Sequence, residues 1–219
     1  MSLTRDIALS FVLSRGQIVS LGYFSSVSRA NTRLKSLVDA GILARLATPY
    51  FGQGLYTAGS KAAEIVGERI APLVLARRSS PRFVVHALTV TNIRLALLAR
   101  SPGVWRFEQQ VSHSFDYDRR YEVRPDGAFL TETLPVFVEA DLGHVAPSKF
   151  AEKLRSYDAF NRSGEILRLF GSPSFRLLTI TTGSRRSRHL RSLLPPSASF
   201  EYLCLTHEEL GIPHVGAWS

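Results

Sequence analysis

The sequence predicts a mixed α/β (α+β) chain in two parts: a small basic helical part and a larger part built around a sheet. Three observations predict this. Hydrophobic residues make up 45% and charged residues 21% of the 219 residues, the balance of a globular chain and not of a disordered or fibrous one. Apolar residues recur at helical spacing early in the chain, whereas strand-like apolar runs dominate beyond residue 104. Between the two lies Ala76-Arg77-Arg78-Ser79-Ser80-Pro81, a basic, small-residue stretch closed by proline, which reads as a linker. The expected domains are therefore 1–78 and 82–219.

In the first part, Ile7, Ala8, Phe11 and Val12 mark a helix, and Ser14-Arg15-Gly16 is expected to stop it. A second short apolar segment spans 18–24. Residues 25–28 offer N-cap chemistry for a third helix. In that helix Leu34, Leu37 and Val38 form an apolar face, while Arg29 and Arg33, four apart, share another with Thr32 and Lys35 nearby. Gly41 suits the position just past its end. Residues 42–47 and 55–57 read as two strands around the glycine-containing turn 48–54, and Ser60 is expected to cap a helix running to residue 70.

The order helix, helix, helix, hairpin, helix matches a winged helix-turn-helix. Such a domain presents its third helix to a DNA major groove and its hairpin to the backbone or minor groove. The candidate DNA-binding residues are Arg29, Asn31, Thr32, Arg33 and Lys35. Arginine suits a bidentate contact to guanine and asparagine one to adenine. A charged helix that is merely solvated is the plainer alternative.

In the second part, residues 83–99 read as a helix, 105–115, 121–124 and 128–131 as extended segments, and 134–141 as a strongly apolar strand ending in two acids. A helix at 148–160, a strand at 175–182, a basic helix at 185–194 and a last strand at 200–205 follow. Helices and strands in this order predict a three-layer α/β arrangement. It resembles the restriction-endonuclease-like core, whose signature is Pro-Asp, then an acid, one residue, and lysine, with Mg²⁺ held by the acids.

Pro125-Asp126 supplies the first half of that signature and Glu139-Ala140-Asp141 the second. Strand alternation puts Glu139 and Asp141 on one side, where Asp126 can join them from a neighbouring strand. Asp126, Glu139 and Asp141 are thus the candidate metal ligands, for Mg²⁺ or Mn²⁺, since a hard cation takes oxygen donors and keeps several waters. Asp141 stands where lysine is expected. Lys149 or Lys153 on the next helix is the candidate replacement, and Lys153 completes the candidate catalytic set. The plainer readings are a common Pro-Asp-Gly turn and a solvated strand end. His86, His113 and His144 show no metal or triad spacing, and neither a nucleophile elbow nor a phosphate-binding glycine loop is present.

Composition narrows the function classes. Lysine plus arginine number 27 against 18 aspartates and glutamates, a net charge of +9. A pI of about 10.2 is the footprint of a nucleic-acid partner. Residues 1–80 carry a net +6, two thirds of the excess. Cys204 is the only cysteine, which excludes an intramolecular disulfide and a cysteine-built zinc site and fits a reducing cytoplasm. Residues 7–13 make a poor signal h-region with no cleavage site after it, and no apolar run approaches the ~18 residues that span a bilayer, so no membrane partner is expected.

Arg124-Pro125-Asp126-Gly127, Phe137-Val138-Glu139-Ala140-Asp141 and Lys153-Leu154-Arg155-Ser156-Tyr157 together resemble the replication-relaxation family of plasmids and other mobile elements. The resemblance implies a winged helix joined to a nuclease-like domain, and a double-stranded DNA-binding accessory factor in replication or conjugative transfer. Relaxase or replication proteins and a second copy of the chain are the implied partners. If the nuclease-like core is catalytically dead, Arg185, Arg186, Arg188 and Arg191 add phosphate contacts. An active Mg²⁺- or Mn²⁺-dependent endonuclease or nickase, and a winged-helix transcriptional regulator, are the alternatives.

Overall fold

Ser2 opens the chain's first helix, its hydroxyl accepting the Arg5 backbone N–H at 3.4 Å. The computed structural model describes residues 2–46, 52, 54–67, 69–75 and 80–215. Contacts divide the chain into two units, Met1–Leu95 with His214–Ser219, and Ala96–Pro213. Helices and strands mix in both, an α/β fold as the sequence predicts.

The first unit runs α1 (Leu3–Ser10), β1 (Leu13–Ser14), α2 (Arg15–Ser20), α3 (Val27–Asp39), β2 (Leu43–Leu46), β3 (Leu55–Ala58), a 3-10 turn (Ser60–Ala62), α4 (Ala63–Val66) and α5 (Ala71–Leu75), and includes α6 (Pro81–Arg100) as far as Leu95. Its three strands pair antiparallel in the order β1-β3-β2. α1 ends at Phe11, whose φ of 64° is a backbone that favours glycine; its ring packs edge-on against Phe83 at 5.3 Å. Ser14-Arg15-Gly16 does not stop α1 but starts α2: the Ser14 hydroxyl accepts from Gln17 N–H, and the Gln17 side chain accepts from Ser14 N–H, each at 3.1 Å. Ser26 caps α3, and Gly41 follows its end at φ 73°.

Ile7, Leu13, Ile18, Ala30, Leu34, Leu43 and Tyr56 make one core cluster, and Val12, Leu55, Val84, Ala87 and Leu88 a second. Beside them lies a polar network. Asp6, fully buried, receives both Arg94 guanidinium nitrogens at 2.7 and 2.9 Å, the Tyr23 hydroxyl at 2.7 Å and Ser10 at 3.1 Å. The Gln17 amide donates to the Leu88 carbonyl and to Asn92.

Two further expectations for this unit are corrected. The helix expected over 60–70 breaks at Gly67, whose φ of 86° no helix tolerates. Among the described residues one helix, α6, is long and apolar enough to span a bilayer by length and composition; its Val84, Ala87, Leu88 and Ile93 are buried. The turn expected at 48–54 lies outside the described residues except 52 and 54, and so do 76–79 of the expected linker.

The second unit contains β4 (Val104–Phe107), α7 (Glu108–Val111), β5 (His113–Asp116), β6 (Arg120–Val123), β7 (Gly127–Leu130), β8 (Pro135–Asp141), α8 (Pro147–Arg162), α9 (Glu165–Phe170), β9 (Arg176–Thr181), α10 (Ser184–Ser192), β10 (Glu201–Thr206) and α11 (His207–Leu210). Its five-stranded sheet has the order β10-β9-β8-β7-β4, parallel across β8, β9 and β10 and antiparallel across β7 and β4. β5 and β6 form a separate hairpin.

Parallel neighbours need a crossover, and α8 and α10 supply the two. Both pack on the face that carries Phe137, Leu177 and Cys204, where Phe137, Tyr157, Phe160, Phe175 and Phe200 form an aromatic core; the Phe137 and Phe175 rings are 4.9 Å apart. At the β10 edge, Ser187 and Arg191 donate to the Cys204 carbonyl, and the Thr206 N–H donates to Glu209.

The strand expected over 105–115 is interrupted. Gln110 reaches back to the Phe107 N–H at 3.0 Å and starts the helical turn α7. α9 and α11 were not anticipated.

Candidate functional site

In the first unit, α3 turns Ala30 and Leu34 into the core, with Leu37 and Val38 half-buried. Its remaining faces are exposed and carry Arg29, Asn31, Thr32, Arg33 and Lys35, so every candidate from the sequence lies on the solvent side. Along the outermost line the helix shows hydroxyls, Ser28, Thr32 and Ser36, spaced i, i+4, i+8. Arg29 donates to Ser25 at 3.1 Å, Lys35 pairs with Asp39 at 2.8 Å, and Asn31 accepts from Arg15 at 3.1 Å. Arg15 was not anticipated as part of this surface; it stands at the first residue of α2, sixteen positions away.

In the second unit, the chain brings Asp126, Glu139 and Lys153 together. Asp126 leads into β7 and is locked to β8 twice: its N–H donates to the Val138 carbonyl, and its carboxylate accepts the Ala140 N–H at 2.8 Å. Pro-Asp-Gly is therefore not a hairpin turn, because β6 and β7 belong to different sheets. Gly127 is required by packing: a Cβ there would stand 2.2 Å from the Trp105 ring.

Glu139 projects from the middle of the sheet toward α8 and is 3% exposed. One of its oxygens accepts from Lys153 at 2.5 Å and the other from the Tyr157 hydroxyl at 2.6 Å. Burial pushes the Glu139 carboxyl up to about 7; the Lys153 ammonium opposes this and the Asp126 charge adds to it. Burial works against the Lys153 ammonium, but the Glu139 and Asp126 charges outweigh it and raise that amine. Burial and Glu139 likewise raise Tyr157. Tyr157, quoted in the family segment but not among the candidate site residues, joins the cluster, and its i+4 spacing from Lys153 on α8 was available as a signal. Lys149 does not reach the cluster and pairs with Glu152 on the surface.

Asp141 shares the Glu139 face but has a different partner. Arg186 grips both of its oxygens, at 2.8 and 3.0 Å, and Thr181 donates at 2.9 Å. The same guanidinium reaches the Val145 carbonyl at 2.7 Å. Asp141 and Arg186 thus neutralise one another and tie the ends of β8 and β9 to α10. Arg191 is likewise committed, to the Cys204 carbonyl. Arg185 and Arg188 remain on the exposed side of α10, and Arg185 borders a cavity of about 730 Å³ with Thr182, Gly183, Ser184, Arg186 and His189.

Among the described residues no group of three or more His, Cys, Asp or Glu side chains is arranged to hold a metal ion. The donors that do approach one another, Asp126 and Glu139, still fit a hard divalent cation, which needs only one or two carboxylates and fills its shell with water. Both Glu139 oxygens already accept, from Lys153 and Tyr157, so Glu139 would meet the ion with its remaining lone pairs, whereas Asp141 is neutralised by a guanidinium that grips both of its oxygens.

The sequence profile of the replication-relaxation family matches residues 5–169. The chain belongs to the replication-relaxation family. No curated protein and no solved structure matches it. The match takes in α3 and the whole Asp126–Glu139–Lys153–Tyr157 cluster, and ends within α9. Membership points to a replication-related role, and both candidate surfaces of this replication-relaxation protein fall inside the region that defines the family.

Proposed function

We propose that the chain is a double-stranded DNA-binding accessory protein of plasmid or mobile-element replication and transfer. Its first unit serves as a winged helix-turn-helix, and the second as a nuclease-like scaffold. The observation that carries this reading is α3: one face is spent on the core, and the rest presents Arg29, Asn31, Thr32, Arg33 and Lys35 to solvent. Such a helix offers donors to base edges and charge to phosphates. Arg185 and Arg188 on α10 supply further phosphate contacts. The protein acts in the cytoplasm, where relaxase or replication proteins and a second copy of the chain are its protein partners.

The test is fluorescence anisotropy of a labelled duplex across a salt series. Each phosphate contact contributes ~0.9 to the slope of log affinity against log salt, so Arg29→Ala/Arg33→Ala is expected to weaken binding and lower the slope by about 2. Unchanged affinity and slope in the double variant would sink the reading.

A metal-dependent endonuclease or nickase is the second reading, and the 2.5 Å approach of Lys153 to Glu139 beside Asp126 favours it. In that case Asp126 and Glu139 would hold Mg²⁺ or Mn²⁺, and the ion would supply charge stabilisation and lower the pKa of a bound water. Lys153 adds a positive charge near the developing phosphate charge, and Tyr157 fixes the Glu139 carboxylate. Supercoiled plasmid incubated with Mg²⁺ or Mn²⁺, beside EDTA and Glu139→Ala controls, decides it. Nicking that needs the metal and Glu139 makes the protein an enzyme; retarded but intact plasmid leaves the second unit a scaffold.

A further inference from the structure

We infer that Arg15, steered by Asn31, is the residue through which the first unit selects guanine, and that Asn31 does not read adenine. The inference rests on the DNA-binding reading of α3 and names the specificity of that same surface.

The backbone at Arg15 is fixed from several sides. Ser14 and Gln17 form the reciprocal cap that opens α2. Ser14 also pairs with Leu55 in the sheet, and the Arg15 N–H donates to the Gly54 carbonyl at 3.0 Å. Gln17 in turn is held by the Leu88 carbonyl and Asn92 at 2.8 and 2.7 Å. A long cationic side chain on so constrained a base loses less entropy on binding than one on a free helix face.

The side chain then leaves α2 and crosses to the exposed flank of α3, where one terminal nitrogen meets Asn31 Oδ1 at 3.1 Å. Arginine has donors only, so Asn31 meets it with its oxygen and turns its amide nitrogen outward. Two consequences follow. A bidentate contact to adenine needs the asparagine oxygen to accept from N6 while the nitrogen donates to N7. Asn31 Oδ1 already accepts from Arg15, so an adenine N6 would have to share that oxygen with a guanidinium standing beside it, which weighs against this contact. The guanidinium, by contrast, spends one N–H on Asn31 and keeps its other edge, two parallel donors that match O6 and N7 of guanine. Thr32 and Ser36, on the outermost line of α3, are hydroxyls that accept any base, so they leave the discrimination to this pair.

The experiment selects duplexes from a random pool with the full-length protein and sequences what is bound. Wild type, Arg15→Lys and Asn31→Ala are compared, with Arg29→Ala/Arg33→Ala as the affinity control and thermal unfolding as the fold control. The wild-type motif is expected to contain an invariant guanine. Arg15→Lys keeps the charge and loses the fork, so preference for that guanine should fall roughly 5- to 150-fold, the worth of one bidentate pair. Asn31→Ala should relax the same position without affecting any adenine. A wild-type pool without a motif, a motif unchanged in Arg15→Lys, or an adenine lost in Asn31→Ala would each overturn the inference. If Arg29→Ala/Arg33→Ala weakens binding in that same experiment, DNA binding by α3 stands and only the assignment to Arg15 falls. If neither variant changes binding, both fall.

Discussion

Removing the buried charge at Glu139 should change how stability depends on pH. In the folded chain this carboxyl titrates at about 7, against 4.5 unperturbed, because it is buried under α8 and lies near Asp126. The folded state therefore holds a proton that the unfolded state has released between these two values, and stability falls as pH rises through that window. At ~1.4 kcal/mol per pH unit, the interval corresponds to about 3 kcal/mol lost between pH 4.5 and a little above 7. Glu139→Gln keeps the shape and the hydrogen bond from Tyr157 but has nothing to titrate. Urea unfolding at half-unit steps from pH 5 to 8, with EDTA present, should show the wild type losing stability relative to Glu139→Gln by an amount of this order, the curves parallel above pH 8. The groups held low, Asp158, Glu165 and Glu209, act in a different range. Their stabilisation is complete above the ordinary carboxylate pKa and is lost only as pH falls below it. Parallel wild-type and Glu139→Gln curves from pH 5 to 8 would refute the reasoning, since they would mean that Glu139 is ionised in both states throughout.

Other outcomes follow from buried contacts. Arg94→Met leaves Asp6 buried without its counter-charge and should cost about 3–5 kcal/mol in urea unfolding, while Asp6→Leu/Arg94→Met recovers most of that loss. Arg186→Met strands the Asp141 carboxylate in the same way, and its loss should exceed that of Arg185→Met, which removes an exposed side chain, by 2 kcal/mol or more, on the order expected for a broken buried pair. Gly127→Ala drives a methyl into Trp105 and should lower the thermal midpoint and alter near-ultraviolet circular dichroism, by the ~1–3 kcal/mol typical of overpacking.

How much of this was legible in the sequence depended on the distance over which each signal acts. Strand alternation placed Glu139 and Asp141 on one face, and helical spacing made Lys153 a candidate to reach them; both are local periodicities. The order of helices and strands was largely readable for the same reason. Partner choice was not. Asp141 finds Arg186 across 45 residues and Asp6 finds Arg94 across 88, and nothing in the intervening spacing marks either pair. The break at α7 was hidden because Phe107, Val111 and Phe115 continue an apolar pattern straight through it, and only the back-bond from Gln110 betrays the turn. The break at Gly67 comes from a backbone dihedral in the middle of a run otherwise suited to a helix.

The β10 edge has a consequence for how the protein behaves at high concentration. Strand alternation turns the Cys204 carbonyl and Thr206 N–H outward, away from β9. Both are already occupied, by side chains from α10 and α11 respectively. An incoming strand must displace an arginine, a serine and a glutamate to pair with Cys204 and Thr206. The β10 edge thus carries its own terminator, which hinders concentrated chains from zipping together along it.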